Sequence, residues 1–239
     1  MNDSTANLLV QLLKNFPPAA PSAVLNDFNE CVAIIRDIED QRDNNIAKNT
    51  SLSAQGKADA LKKFAGTLAT RFMQLVNSVD TWQIRINSYK AALFPTIDAK
   101  DAAAMALRNW YRDRLIVLDQ GSRENLFNKA NDSGVALLAL TEVSNLILGM
   151  SERDYDRLKE LWLKANKAKD LADFAVLQDS FNVLTKVYSM ALRSLCDAAG
   201  IVGANNAALF AFLNANASGA WKPKAETDFW AATGVPAAS

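Results

Sequence analysis

Apolar residues recur at steps of three and four along most of this chain, and no segment of any length alternates in the two-residue period of a strand. The longest such run extends unbroken from Leu61 to Leu93. One seam position holds Leu61, Leu68, Leu75, Trp82 and Tyr89; the other holds Ala65, Phe72, Val79, Ile86 and Leu93. Ser53 stands where a helix cap belongs, and Pro95 closes the run. The predicted helix, about 53–94, is roughly 60 Å long at ~1.5 Å per residue. Helix propensity cannot sustain that length, so the stripe must be covered. Bulky aromatics alternate with Ala and Val along the seam. This predicts shorter helices packed against it rather than a parallel homodimer. A second heptad run, at about 171–199, sets Phe174, Phe181, Tyr188 and Leu195 beside Leu177, Leu184 and Ala191, and Gly200 is its natural stop.

Shorter patterns fill the rest. Leu8, Leu9, Leu12 and Leu13 predict a helix that Pro17, Pro18 and Pro21 end. Ser22 caps a second helix running to about Asp43 through Leu25, Phe28, Val32, Ile35 and Ile38, followed by a polar linker. Past Pro95, a helix is expected from Asp98 or Ala99 to Leu118, then a break at Gly121 and a short helix capped by Ser122. Asp132 or Ser133 then caps an apolar helix that ends near Gly149, and Ser151 caps a charged one that bends or breaks within 164–173. A short apolar helix, "NAALFAFLNA", precedes an extended tail. The expected fold class is therefore all-α, a multi-helix bundle around two long amphipathic helices, with no β-sheet. Its expected parts are an N-terminal arm (1–21), a helical bundle domain (22–200), and a short helix plus extended C-terminal tail (201–239).

Composition agrees with this reading. Among 239 residues there are only 9 Gly and 6 Pro, too few for a turn-rich sheet protein. The 26 basic and 26 acidic side chains cancel, which removes the global electrostatic case for a nucleic-acid binder. Their distribution is uneven: the net charge is −3 over 1–48, +4 over 49–119 and −1 over 120–239. Cys31 and Cys196 lie in apolar helical patterns and read as reduced core residues. Asp3 before "NLLVQLL" leaves no basic start for an export signal, so none is expected. On that reading the sequons at Asn2, Asn49, Asn131 and Asn216 are chance. The most apolar window, 135–150, contains Glu142 and Asn145 and is too short for a bilayer, so a buried core helix is expected there.

Candidate chemistry is sparse. The chain has no histidine, which rules out Ser-His-Asp and Cys-His nucleophile systems and His-ligated metal sites within it. Gly56–Lys57 is not a phosphate loop: Ser51 and Ala58 stand where that motif needs Gly and Ser or Thr, and no strand precedes it. The carboxylate pairs Glu39–Asp40 and Asp154–Asp156 read as a polar helix end and an acidic first turn. No catalytic, cofactor-binding or metal-ligating residue is assigned, no cofactor is expected, and the chain is expected not to be an enzyme.

Two interaction features remain. Lys62, Arg71, Arg85 and Lys90 flank the long seam, and Arg108, Arg112 and Arg114 follow. This basic 57–114 face is either a phosphate-backbone contact or, by preference, the partner of the acidic helix carrying Asp27, Glu30, Asp37, Glu39 and Asp40. Trp82, Tyr89, Trp110 and Tyr111 fall at helical spacing and are expected in the core. Trp221, Phe229 and Trp230 lie in the tail, where they dock either on this chain's own bundle or on a neighbour.

The segment "GSRENLFNKANDSGVALLALTEVSNLILGMSERDYDRLKELWLKAN" adds a resemblance. Its Asp132–Ser133, the Val135–Leu148 run and Met150–Ser151 followed by Tyr155 resemble a segment that recurs in a group of helical virion proteins of tailed bacteriophages. In that group a stretch like "LSAQGKADAL" opens a long upstream helix, as here. The resemblance covers about 52–170 and carries no enzymatic residues. It implies a multi-copy structural or interaction protein of the virion, in the head interior, the head surface or the head–tail region. It would be made in the host cytoplasm and would bind other virion proteins or copies of itself through helical seams and the C-terminal tail. Two alternatives accompany it: an internal protein ejected with the genome, and a nucleic-acid-binding assembly factor using the basic face.

Overall fold

The computed structural model describes residues 3–98, 100–129, 134–202 and 206–218. Among the described residues the chain is all-α, with no strand. Its helices are α1 (Asp3–Lys14), α2 (Ser22–Asp40), α3 (Ala54–Leu93), α4 (Ala102–Val117), α5 (Gln120–Lys129), α6 (Val135–Glu142), α7 (Glu152–Asn166), α8 (Ala168–Ala199) and α9 (Asn206–Asn216), with a π-helical turn over Gln41–Ile46. The two long helices are α3 and α8, as the heptad runs predict. Two compact units form, one from 1–85 and 176–239, the other from 86–175, so both boundaries fall inside a long helix.

In the first unit the seam of α3 is covered by this chain itself. Leu68, Phe72, Leu75, Val79 and Trp82 are buried, and so are Ala69, Met73 and Val76 beside them. A stripe of that width needs helices on more than one side. Against it α2 supplies Val24, Phe28, Cys31, Ile34, Ile35 and Ile38, and α8 supplies Phe181, Leu184, Val187, Tyr188, Ala191 and Leu195. Phe72 stacks on Tyr188 at 5.4 Å, and Phe16 meets Phe28 edge-on at 5.1 Å. α9 crosses α3 closely at Gly66, where a Cβ would press on the Asn216 side chain.

The second unit is built on α6. Ala136, Leu137, Ala139 and Leu140 are fully buried, and each leucine contributes about 1.5–3 kcal/mol relative to exposure. Leu93, Tyr111, Leu115, Phe127, Leu158 and Trp162 close around them, and Tyr89 stacks on Phe174 at 5.9 Å.

Several boundaries differ from the sequence reading, each for a local hydrogen-bonding reason. α4 starts at Ala102, because Asp101 is the cap that accepts from the Ala104 N–H (2.9 Å), while Asp98 is used in the preceding turn by Lys100 N–H (2.9 Å). The cap of α5 is Asp119, which accepts from both the N–H (2.8 Å) and the hydroxyl of Ser122 (3.1 Å). The break therefore falls at extended Leu118, and Gly121 lies inside the helix. α2 does not run regularly to Asp43. It widens after Asp40, where Ala47 N–H reaches Arg42 C=O five residues back, and buried Ile46 closes the turn.

The apolar helix is the largest difference. It ends at Glu142, not near Gly149: Tyr155 donates its hydroxyl to the Leu140 C=O (2.9 Å), Val143 is extended, and Ser144 Oγ accepts the Ile147 N–H (3.3 Å) to start a turn. The expected caps Asp132 and Ser133 lie outside the described residues, as do the tail residues Trp221, Phe229 and Trp230. Ser53, Ser151 and Gly200 serve as expected. Ser53 Oγ accepts from Gly56 N–H (3.1 Å), Ser151 Oγ from Asp154 N–H (3.2 Å), and Gly200 has φ 72°.

Gly134, just before α6, has φ 81°, and a Cβ there would overlap the Pro95 ring and Trp162. Left-handed backbone and overpacking both oppose a side chain. Gly134→Ala is expected to lower unfolding stability by about 2–4 kcal/mol, read from the urea midpoint at constant slope.

Candidate interaction surfaces

Arg71 projects from α3 toward α2. Its Nε donates to Glu30 Oε1 and its Nη1 to Asp37 Oδ2, both at 2.7 Å. Farther along the same helix pair, Asp27 accepts from the Ser78 hydroxyl and from Trp82 Nε1. Early α2 thus meets late α3 and the reverse, so the two helices are antiparallel. Asp27, Glu30 and Asp37 of α2 are used on this edge, and of the basic residues named from the charge pattern Arg71 makes the pairing preferred there. Each group is more than a third exposed, so the ion pairs contribute about 0–1 kcal/mol and mainly fix register.

The other basic residues have separate surroundings. Arg85 is exposed and lies over the Trp82 ring on its own helix at 4.9 Å. Lys90 is exposed near the end of α3. On α4, Arg108 pairs with Glu142 of α6 (3.2 Å) and donates to Met105 Sδ (3.5 Å), while Arg112 lies 3.4 Å from its neighbour Asp113. Arg71 and Arg85 belong to the first unit; Lys90, Arg108 and Arg112 belong to the second.

The carboxylate pairs take different surroundings. Glu39 is buried rather than at a polar helix end, and Asp40 accepts from the Asn44 amide (2.6 Å). Asp154 accepts from the Ser151 hydroxyl (2.7 Å), and Asp156 pairs with Lys159 (2.9 Å). Asp154 and Asp156 also line a hollow with Ser151, Arg153, Arg157 and Glu160, all on the start of α7 and its cap. Among the described residues no group of His, Cys, Asp and Glu is placed to hold a metal ion. No helix among them is long and apolar enough to cross a membrane.

Two features escaped the sequence pattern. The first is Arg123, only 6% exposed, whose Nε donates to Leu115 C=O (2.8 Å) and Nη1 to Leu148 C=O (3.0 Å). Burial pushes its pKa down, while the Asp119 carboxylate opposes the shift. One guanidinium thereby ties the end of α4 to the turn after α6. The second feature is apolar exposure. Leu146 is 82% and Ile147 64% exposed, contrary to the buried helix expected across 135–150. Trp110 is also exposed, not core: α4 turns Tyr111 and Leu115 inward, and the Trp110 ring lies outside them, edge-on to Tyr111 at 5.0 Å. Trp82 and Tyr111 are buried as expected, and Tyr89 is partly so.

No family model, curated protein or solved structure matches this chain.

Removing the Arg123 guanidinium would strand two carbonyls. Arg123→Met is expected to cost about 2–4 kcal/mol in a chemical denaturation curve.

The interior of the first unit sets an alkaline limit. Burial, reinforced by Asp27 and then Glu30, pushes the Cys31 thiol well up. Burial, with Asp197 nearby, pushes Cys196 to about 11, and burial likewise raises the Tyr188 phenol well above its ordinary value. The folded chain therefore holds protons that the unfolded chain releases. Their stabilising effect is complete below about pH 9 and is lost as pH rises toward the folded-state values. The denaturation midpoint should stay level from pH 7 to about 8.5, then fall. Each group ionised only in the unfolded chain adds a slope of about 1.4 kcal/mol per pH unit, and Cys31→Ala should flatten the fall.

Proposed function

We propose that this chain is a non-enzymatic structural and interaction protein of a tailed-phage particle, present in several copies. The observation that supports interaction rather than chemistry is the contrast between its polar groups and its apolar surface. Most of its distinctive polar side chains are engaged in caps, helix-pair bridges or carbonyl ties, whereas Trp110, Val117, Leu146 and Ile147 face solvent. Apolar side chains clustered on a surface mark association sites. The phage setting is supported by the resemblance over about 52–170.

Nucleic-acid binding through the basic face is the weaker reading. Arg71 and Arg108 are engaged by Glu30, Asp37 and Glu142, while Lys62, Arg85, Lys90 and Arg114 of that set are exposed. Cations already paired with carboxylates release fewer counterions on binding a phosphate backbone, so the expected salt dependence is shallower than seven free cations would give.

Mass spectrometry of purified particles from the source phage tests the proposal. The polypeptide is expected at several copies per particle, and a virion preparation lacking it would overturn the reading. Comparing full with emptied particles separates a retained component from one ejected with the genome.

A further inference from the structure

Four apolar side chains stand out at one end of the second unit. Ile116 and Val117 end α4 and are 43% and 72% exposed; Leu146 and Ile147 form the tip of the turn after α6. The two backbone segments that carry them are held together by Arg123, which binds the carbonyls of Leu115 and Leu148 with two nitrogens of one guanidinium. The base under them is firm: Leu115 is fully buried and Leu148 is 5% exposed. The turn is closed by Met150 N–H on Asn145 C=O (2.9 Å) and Gly149 N–H on Leu146 C=O (3.1 Å). The fold thus presents a braced apolar knob that stays exposed among the described residues. Its rim carries both signs of charge, with Arg114 in the last turn of α4 and Asp119 at the start of α5.

The chain also holds a segment suited to that surface. Twenty-one residues follow Ser218, enough to reach up to about 70 Å when extended. They start from a fixed point, because Ser218 N–H donates to Thr70 Oγ1 (2.9 Å) on α3. Trp221 is followed by Lys222 and Lys224, while Phe229 and Trp230 are preceded by Glu226 and Asp228. Large aromatics are the side chains that most often dominate binding energy. The flanking charges complement Asp119 and Arg114 respectively.

We propose that the C-terminal segment of one copy, through Trp221, Phe229 and Trp230, docks on the Ile116–Val117–Leu146–Ile147 cluster of a second copy. The contact is heterologous, one copy's tail on another's knob, so it closes as a pair that exchanges tails or as a ring, or propagates into a filament. This inference rests on the multi-copy reading but is tested apart from any particle. Association of the isolated protein without its presence in virions would sink that reading alone; virion presence without association would sink this one alone.

The test uses two full-length variants. Leu146→Ser with Ile147→Ser removes the knob, and Trp221→Ala, Phe229→Ala and Trp230→Ala together remove the tail anchors. Circular dichroism confirms that each retains its helix content. In sedimentation velocity the unchanged protein should associate reversibly as concentration rises through the micromolar range. Each variant alone should associate at least about tenfold more weakly. An equal mixture keeps one intact knob and one intact tail, and should form a one-to-one heterodimer that stops there. A monomeric unchanged protein, a variant that associates normally, or a mixture that stays at monomer mass would each overturn the proposal.

Discussion

The apolar stripe of α3 is the constraint around which the described structure is arranged. A forty-residue helix with bulky side chains at every third or fourth position cannot stand in water on its own. Its middle is buried over a breadth that includes Ala69, Met73 and Val76 as well as the two seam rows. One partner helix could not cover that arc, so α2 and α8 both supply apolar faces, and α9 closes in where Gly66 permits close approach. The alternation of large and small seam residues suits several unlike neighbours better than an identical partner. Phe72 stacked on Tyr188 shows why: two rings fill the space between α3 and α8 where a uniform leucine seam would not.

Once that stripe is covered, polar side chains decide the details. Arg71 binds Glu30 and Asp37 at the edge of the α2–α3 contact, where little energy is at stake but register is fixed. Tyr155 and Arg123 act deeper. Each supplies donors to helix-end or turn carbonyls, a role that otherwise falls to water or to the next turn of helix. Because these donors take the carbonyls of Leu140, Leu115 and Leu148, the chain between Val143 and Gly149 is held as a turn and two of its apolar side chains are exposed. The surface proposed for association is thus a consequence of how the backbone is satisfied.

The periodicity carried the architecture well where burial was continuous. Both long helices, the caps at Ser53 and Ser151 and the stop at Gly200 are local features, and local physics sets them. It failed where two local solutions compete. Asp98 and Asp101 are both plausible caps, as are Asp119 and Ser122, and only the completed turn shows which carboxylate is already in use. The 135–150 run failed for another reason. Hydrophobicity predicted burial along its whole length, but half of it is buried helix and its far end is an exposed turn. Trp110 was misplaced similarly: adjacent aromatics at 110 and 111 cannot both face the core, and the pattern alone favoured neither.

By itself, then, the sequence determined that this protein is helical, which two helices are longest, and that the acidic α2 favours a basic neighbour. Those properties follow from residue spacing and charge, which act between near neighbours or along one helix. The tertiary structure alone decided what covers the α3 seam, where Arg123 places its charge, and which apolar residues remain in water. These depend on residues distant in sequence that compete for the same carbonyls and the same volume. No period in the chain records the outcome of that competition.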